Sequence, residues 1–295
     1  MSLDGCETPA VDVHTTGDVE EYASAVTDFL EAEPCARNVL RWVIDLVRAG
    51  HASTAQPSFW WIEDGGGAVA GAAHLTPPYP LLVSSLPEGA AAPLVSAVRD
   101  RATSVAAKVP GVNGPRSAAE TVARAWTTAT GTPHHPRHIL LLHELERWRD
   151  VPRPRGGRRE ATSDDLDLVA RWLEAFAAEM ALIQAGVDQR RAASVMLDQR
   201  EVELWEVDGT PVSLAGHRGP AAGVVRVGPV YTPPAQRNHG YARRLVADVT
   251  ATEMARPDVR RCMLFTDTAN PVSNSIYQQI GYVPRGEHVE IAFDA

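Results

Sequence analysis

The chain has 295 residues, 44% of them hydrophobic and 22% charged, a balance typical of a folded protein with room for two domains. Its formal net charge of −9 argues against nucleic acid or an anionic membrane as a partner. The three cysteines are widely spaced and odd in number, which argues against a disulfide framework and a zinc site. Residues 1–7 do not resemble a signal peptide, and no apolar run is long enough to cross a membrane, so we expect a cytoplasmic protein.

The first half of the chain is repeated faintly in the second. An apolar stripe at helical spacing over residues 18–29 recurs 147 positions later, over residues 165–176. A strand, an Asp-Gly turn and a second strand are predicted over residues 59–74 and again over residues 203–217. Thr162 is expected to cap the second helix. The repeat predicts two related domains in tandem.

The predicted division is residues 1–150 for a first domain, residues 151–159 for a linker rich in Pro, Gly and Arg, and residues 160–295 for a second domain. After residue 160 the predicted order is helix, strands, helix, strand, helix, strand. This order indicates an α/β domain with a mixed sheet.

The segment from 230 to 242 joins a predicted strand to a helix over 240–256. A helix N-terminus exposes backbone N–H groups where the helix dipole favours an anion. Gly240 allows close approach of the backbone, and Arg237 can neutralise a phosphate. The segment therefore predicts a pyrophosphate site.

Two motifs carry a family resemblance. Residues 237–242, Arg-Asn-His-Gly-Tyr-Ala, resemble the Arg/Gln-x-x-Gly-x-Gly/Ala loop of the GCN5-related N-acetyltransferases (GNAT). Residues 270–282, with Asn270, Tyr277 and Gly281, resemble the closing Asn…Tyr…Gly-aromatic element of that family. The resemblance covers residues 160–293. It implies an α/β (α+β) fold of two tandem GNAT-like domains, each a mixed, mostly antiparallel sheet flanked by helices.

The resemblance also implies acetyl-CoA as the co-substrate, no metal, and Tyr277 as the acid that protonates the departing thiolate. The residues that it places against the cofactor are Val230, Tyr231, Thr232, Arg237, Asn238, His239, Gly240, Tyr241, Ala242, Arg243, Asn270, Asn274 and Tyr277.

The general base is open at this stage. Many relatives place a Glu on the strand before the loop, but this chain has Val224, Arg226 and Gly228 there. Glu179, at the end of the helix that borders the acceptor site in the family, is the first candidate. The alternatives are a water chain or the last strand, with Glu287, His288 and Glu290.

The first half has no counterpart of the cationic loop, so we expect a degenerate copy that does not bind CoA. The leading hypothesis is an enzyme that acetylates a primary amine of a small molecule, as a monomer or homodimer. The alternatives are a protein N-terminal or lysine acetyltransferase and a CoA-sensing module without turnover. His134, His135 and His138 are expected in a Pro-rich turn and not at a metal.

Overall fold

A computed structural model describes residues 11–51, 56–180 and 188–294. The N-terminal residues 1–7, which include Cys6, lie outside these ranges. The described chain forms two compact units. Unit 1 combines the residues up to Leu140 with those from Glu287 onward, and unit 2 is Leu141–Gly286.

In the described residues, the first sequence repeat contains ten elements, in this order: β1 (Asp12–Thr16), α1 (Val19–Ala32), α2 (Asn38–Arg48), β2 (Ser58–Glu63), β3 (Val69–Leu75), β4 (Leu81–Val83), α3 (Ala91–Ser104), β5 (Gly111–Pro115), α4 (Arg116–Thr130) and β6 (His134–Leu145).

The second repeat has the same order, apart from short 3-10 turns: β7 (Gly157–Glu160), α5 (Leu166–Glu179), α6 (Gln189–Asp198), β8 (Val202–Val207), β9 (Thr210–Ala221), β10 (Val224–Tyr231), α7 (Tyr241–Met254), β11 (Arg261–Asp267), α8 (Pro271–Ile280) and β12 (Tyr282–Phe293). The common order confirms the two hairpins and the pair of amphipathic helices expected from the repeat. The α/β fold class is also confirmed.

Local sequence signals begin and end several of these helices. Thr162 and Asp165 form a reciprocal capping box before α5. Asn270 accepts the Ser273 N–H at the start of α8, and Gly281 ends that helix in the left-handed region with φ 110°. The caps expected at Thr162, Asn270 and Gly281 are therefore confirmed.

In unit 1, β1 to β4 pair antiparallel in sequence, and β4 pairs parallel with β5. The two faces of this sheet hold separate apolar cores. One packs α1 and α2 against Phe59 and Ala72, and the other packs α3 and α4 against Trp60 and Ala73. The alternation along β2 and β3 is what sends neighbouring residues to opposite faces.

In unit 2, β7 to β10 pair antiparallel and β10 pairs parallel with β11. Helices α5 and α6 cover Leu204 and Leu214 on one face. Helices α7 and α8 cover Val225 and Val227 on the other.

Each compact unit includes a strand segment from the other repeat. The end of β12, His288–Ala292, pairs with β5 in unit 1. The end of β6, from Leu141 onward, belongs to unit 2, where β6 is the neighbour of β11. The predicted boundaries at 150 and 160 follow the sequence repeats and stay a prediction.

One local expectation is wrong. His134, His135 and His138 lie in β6 and not in a turn. Pro136 in this strand supplies no backbone N–H to the sheet, and the residue is exposed. His134 Nδ1 lies 2.7 Å from Thr127 Oγ1, and His135 Nδ1 lies 3.0 Å from Asp294 Oδ1.

Candidate active site

The candidate site lies where the paired strands β10 and β11 of unit 2 separate. These parallel strands are paired from Val224↔Arg261 to Arg226↔Met263, and the register ends there although β10 continues to Tyr231 and β11 to Asp267. A bulge against β9 lies between Val227 and Val230 and turns the end of β10. The two strands therefore open into a cleft, and backbone groups of β10 beyond Arg226 can pair with an extended ligand.

In the loop between β10 and α7, two residues have a left-handed backbone conformation. Asn238 has φ 66° and Gly240 has φ 80°, and Gly240 is the N-cap of α7. No side chain caps this helix, and its first turn contains no acidic residue. The first-turn N–H groups of α7 are therefore not capped by a side chain, and the helix dipole at this end favours an anion.

Arg237 is held at the edge of this loop. Its Nε donates to the Thr232 carbonyl at 2.9 Å, and its Nη2 lies 2.7 Å from both carboxylate oxygens of Glu179, at the end of α5. Both side chains are more than 40% exposed. The structure brings together the predicted phosphate ligand and the predicted base as an ion pair.

The other loop side chains are also ordered by contacts. The rings of His239 and Tyr241 are stacked with their centroids 5.2 Å apart. Arg243 donates to Gln279 Oε1 on α8 at 2.7 Å, while its buried Nε has no partner among the described residues. An unsatisfied buried donor beside the loop is an observation that fits an anionic ligand.

Tyr277 lies on α8 and packs into the core that α7 and α8 share. Its ring meets the ring of Tyr282 edge-on, with centroids 6.3 Å apart. Burial raises the pKa of the Tyr277 phenol well above its ordinary value. The phenol therefore stays protonated at neutral pH and can act as a proton donor but not as a base.

The two predicted asparagines have different local roles. The Asn270 side chain is the N-cap of α8. Asn274 accepts a hydrogen bond from Thr266 Oγ1, and its Nδ2 donates to the Asp267 carbonyl at 3.4 Å. Thr266 Oγ1 is also 3.4 Å from Nδ1 of the buried His143, which comes from β6 in the first repeat.

The alternative bases on the last strand belong to unit 1, whereas Tyr277 belongs to unit 2. Glu287 is ion-paired with Arg116, and Glu290 lies 3.7 Å from Arg137. Burial lowers the pKa of His288 to about 4. That imidazole is neutral at pH 7.

Sequence reasoning did not predict that Glu201, Arg218 and Arg226 lie close together, because their proximity depends on the pairing of β9 and β10. Arg226 was noted only as a departure from the family's carboxylate. A charged residue inside an otherwise apolar strand was the available signal.

The counterpart of this site in the first repeat differs. Strand β4 has three residues, and the segment from Ser84 to Ala90, which leads into α3, contains no Lys or Arg. Within the described ranges there is no group of three His, Cys, Asp or Glu residues that could hold a metal ion. In the same residues, no helix is long and apolar enough to span a membrane.

Comparison with known proteins agrees with this geometry. Residues 147–282 match the model of the acetyltransferase (GNAT) family. The second repeat is thus similar to the GNAT family over this range. GNAT enzymes are acetyl-CoA-dependent N-acetyltransferases, and this match lies in the repeat that carries the loop and Tyr277. No curated protein matches the chain.

Solved structures of GNAT proteins resemble nearly the whole chain. A GCN5-related N-acetyltransferase from Sphaerobacter thermophilus is 16% identical, with a TM-score of 0.64 and coverage of 95% of both chains. A tandem GNAT protein from the clavulanic acid biosynthesis pathway is 13% identical, with a TM-score of 0.53 and coverage of 96% of this chain and 98% of its own. A GNAT-family acetyltransferase from Colwellia psychrerythraea is 13% identical, with a TM-score of 0.56 and coverage of 96% and 100%. These likenesses confirm the tandem GNAT fold.

Proposed function

We propose that unit 2 transfers the acetyl group of acetyl-CoA to a primary amine of a small molecule, by direct attack in a ternary complex. The observation that carries the proposal is the cleft between β10 and β11 next to the uncapped start of α7. A pantetheine arm can pair with the backbone of β10 from Val230 to Thr232, while the amides from Asn238 to Arg243 hold the pyrophosphate.

Acetyl-CoA supplies the acyl group as a thioester. The acceptor nitrogen forms the new C–N bond to the carbonyl carbon, and the C–S bond breaks. The Val230 N–H is the proposed donor to the carbonyl oxygen as its negative charge develops. Tyr277 gives its proton to the leaving sulfur, and its phenol is protonated at neutral pH as this role requires. The proton lost by the amine leaves through a base or water.

Glu179 remains the proposed base, although its carboxylate is engaged by Arg237 in this structure. An exposed ion pair of this kind contributes only about 0–1 kcal/mol, so a phosphate could displace Glu179 from Arg237. Displacement upon cofactor binding would release the carboxylate.

We propose that the first repeat does not bind CoA, because its loop before α3 has no cation and β4 is short. A protein N-terminus or lysine is the second candidate acceptor. A CoA-sensing module without turnover is the candidate from another class. The cytoplasm remains the expected compartment.

The test is a screen of amines with acetyl-CoA, following the release of free thiol, together with the Tm at increasing acetyl-CoA. We expect a higher Tm with cofactor and thiol release with at least one class of small amine. Stabilisation by acetyl-CoA without thiol release from any amine or peptide would favour the sensing module. No stabilisation at millimolar acetyl-CoA would contradict the assignment of the cofactor site.

A further inference from the structure

Three polar side chains of unit 2 form a hydrogen-bonded row from β6 to α8. Nδ1 of His143 in β6 lies 3.4 Å from Oγ1 of Thr266 in β11, and Thr266 Oγ1 is hydrogen-bonded to Oδ1 of Asn274 in α8. His143 and Thr266 are 0% and 4% exposed, whereas Asn274 is half-buried. This polar row therefore leads from the interior of unit 2 to the helix that carries Tyr277.

Backbone carbonyls at both ends of the polar row fix the direction of its hydrogen bonds. The Leu141 carbonyl oxygen lies 3.2 Å from His143 Nδ1, and the Asp267 carbonyl accepts from Asn274 Nδ2 at 3.4 Å. Because a carbonyl oxygen can only accept, His143 Nδ1 carries a hydrogen, and Oδ1 of Asn274 faces Thr266. The Thr266 hydroxyl therefore donates to Asn274, and its lone pairs can receive the His143 N–H.

The other ring nitrogen of His143 is unfavourable for stability. His143 Nε2 is buried and has no hydrogen-bond partner among the described residues. Burial lowers the pKa of His143, so the imidazole is neutral at pH 7 and Nε2 carries a lone pair. A buried polar atom without a partner costs free energy that an apolar side chain of similar volume would avoid. Departures from local stability of this kind are expected at functional sites.

The outer end of the polar row lies at the proposed cofactor site. Asn274 and Tyr277 are three residues apart on α8, so their side chains share one side of the helix. The Asn274 amide group has two N–H donors. In the part of the chain that the structure describes, one of them has an acceptor, the Asp267 carbonyl. The second N–H can donate to a carbonyl oxygen of the acetyl-CoA arm.

His143 restricts the amide of Asn274 to one orientation. A hydroxyl group can donate to an amide side chain or accept from it, so Thr266 alone would tolerate both orientations of that amide. The His143 Nδ1–H occupies a lone pair of Thr266 Oγ1 and directs the hydroxyl hydrogen to Asn274. A turned amide would place its N–H group against this hydrogen and its oxygen against the Asp267 carbonyl. The amide is thus preorganised to donate to a ligand.

We propose that His143 is a positioning residue of the cofactor site, which acts through Thr266 to hold an N–H of Asn274 toward acetyl-CoA. The inference rests on the proposed function of unit 2 and deepens it, because it assigns a residue of the first sequence repeat to that site. His143 precedes the segment 147–282 that matches the GNAT family. It lies in β6, which is the neighbour of β11 in the sheet.

The test compares the Kd for acetyl-CoA, measured by isothermal titration, in three variants at position 143. His143→Leu removes the donor, so the Kd should rise about three- to fivefold, the value of one hydrogen bond, with little change in kcat. Asn has an amide N–H near the place of Nδ1, whereas the longer Gln puts its amide near Nε2. His143→Asn should therefore keep the Kd within about twofold of the wild type, and His143→Gln should resemble His143→Leu.

A double-mutant cycle tests the path through Thr266. His143→Leu in the Thr266→Val background should not raise the Kd further, because both changes interrupt the same path. Independent effects of the two changes would overturn the path. An equal rise in Kd for His143→Asn and His143→Leu would overturn the role of the Nδ1–H.

His74→Leu is the matched control. It also removes a buried histidine whose ring has a nitrogen without a partner among the described residues, but this histidine lies in unit 1. Its Kd for acetyl-CoA should equal that of the wild type. The Tm of His143→Leu should not fall, because the unpartnered Nε2 is removed. A loss of Tm together with the loss of affinity would make the role of His143 structural and overturn the inference.

Two measurements separate this inference from the proposed function. Side-chain nitrogen NMR of the protein without ligand reports which ring nitrogen of His143 carries the hydrogen. We expect Nδ1–H, and an Nε2–H tautomer would overturn the inference whether or not acetyl-CoA binds. Turnover with a Kd unchanged in His143→Leu would also overturn it and would keep the proposed function. A wild-type protein that does not bind acetyl-CoA would overturn the proposed function, and the cofactor role of His143 with it.

Discussion

Nη2 of Arg237 lies 2.7 Å from each carboxylate oxygen of Glu179, so the proposed phosphate ligand and the proposed base neutralise each other. Arg237 comes from the loop before α7 and Glu179 from the last residue of α5. The ion pair connects the loop before α7 to the C-terminal end of α5. Any anion that binds Arg237 must compete with Glu179.

Glu179→Gln tests this competition. Removing an exposed ion pair worth up to about 1 kcal/mol frees Arg237, so the Kd for acetyl-CoA should fall by up to about fivefold. Isothermal titration measures this change. The same variant tests the base: a loss of kcat at saturating substrates assigns the proton transfer to Glu179, and unchanged kcat assigns it elsewhere. A weaker affinity for acetyl-CoA would contradict the competition.

Tyr277→Phe tests the proton donor. We expect kcat to fall by about 10² or more, as is usual when a general acid is lost, while the Kd for acetyl-CoA stays within about twofold. Tyr282→Phe is the matched control, because its hydroxyl bonds Thr250 Oγ1 at 2.8 Å in the core. That control should lower stability by about 1 kcal/mol and keep turnover. A parallel loss of kcat and affinity in Tyr277→Phe would make its role structural.

Gly240→Val tests the loop, with Gly89→Val as its counterpart in the first repeat. The two glycines have φ of 80° and 81°. A side chain in this left-handed region costs roughly 1–2 kcal/mol at either position. Both variants should therefore lose similar stability, measured by urea unfolding, but only Gly240→Val should lose the stabilisation by acetyl-CoA. Loss of cofactor binding in Gly89→Val would show that the first repeat takes part.

Thr266→Val tests the orientation of Asn274. Without the hydroxyl, Asn274 Oδ1 loses its donor and the amide can turn. We expect the KM for acetyl-CoA to rise by about three- to tenfold, the value of a hydrogen bond of about 1 kcal/mol, with a smaller change in kcat. Thr266→Ser should restore the wild-type KM. Failure of Ser to do so would assign the effect to packing.

His74→Leu tests the acid sensitivity of unit 1. Burial lowers the pKa of His74 to about 3, and its Nδ1 has no partner among the described residues. Below about pH 6.5 the histidine of the unfolded chain binds a proton, whereas the buried His74 of the folded protein does not until about pH 3. The stability contributed by neutral His74 is therefore fully present above about pH 6.5 and is lost as the pH falls toward 3. The free energy of unfolding should therefore fall less steeply from pH 6.5 to pH 4 in His74→Leu. An identical slope would contradict the assignment.

Much of the fold was readable from local patterns, because helix periodicity, Asp-Gly turns and caps act between residues close in the chain. The stripe at residues 165–176, the turn at Asp208 and the cap at Asn270 are of this kind. The family resemblance rested on two short motifs for the same reason. The strand position of His134 was missed, since a proline next to two histidines signals a turn locally while pairing of β6 overrides it.

The sequence by itself predicted the repeat, the α/β class and the resemblance to the GNAT family, since each depends on residue type and spacing along the chain. Only the tertiary structure decided which distant residues meet. It paired Arg237 with Glu179, brought His143 of the first repeat to Thr266, and set Arg218 opposite Arg226. Strand register and long-range charge pairing depend on the packing of whole elements, which no local pattern encodes.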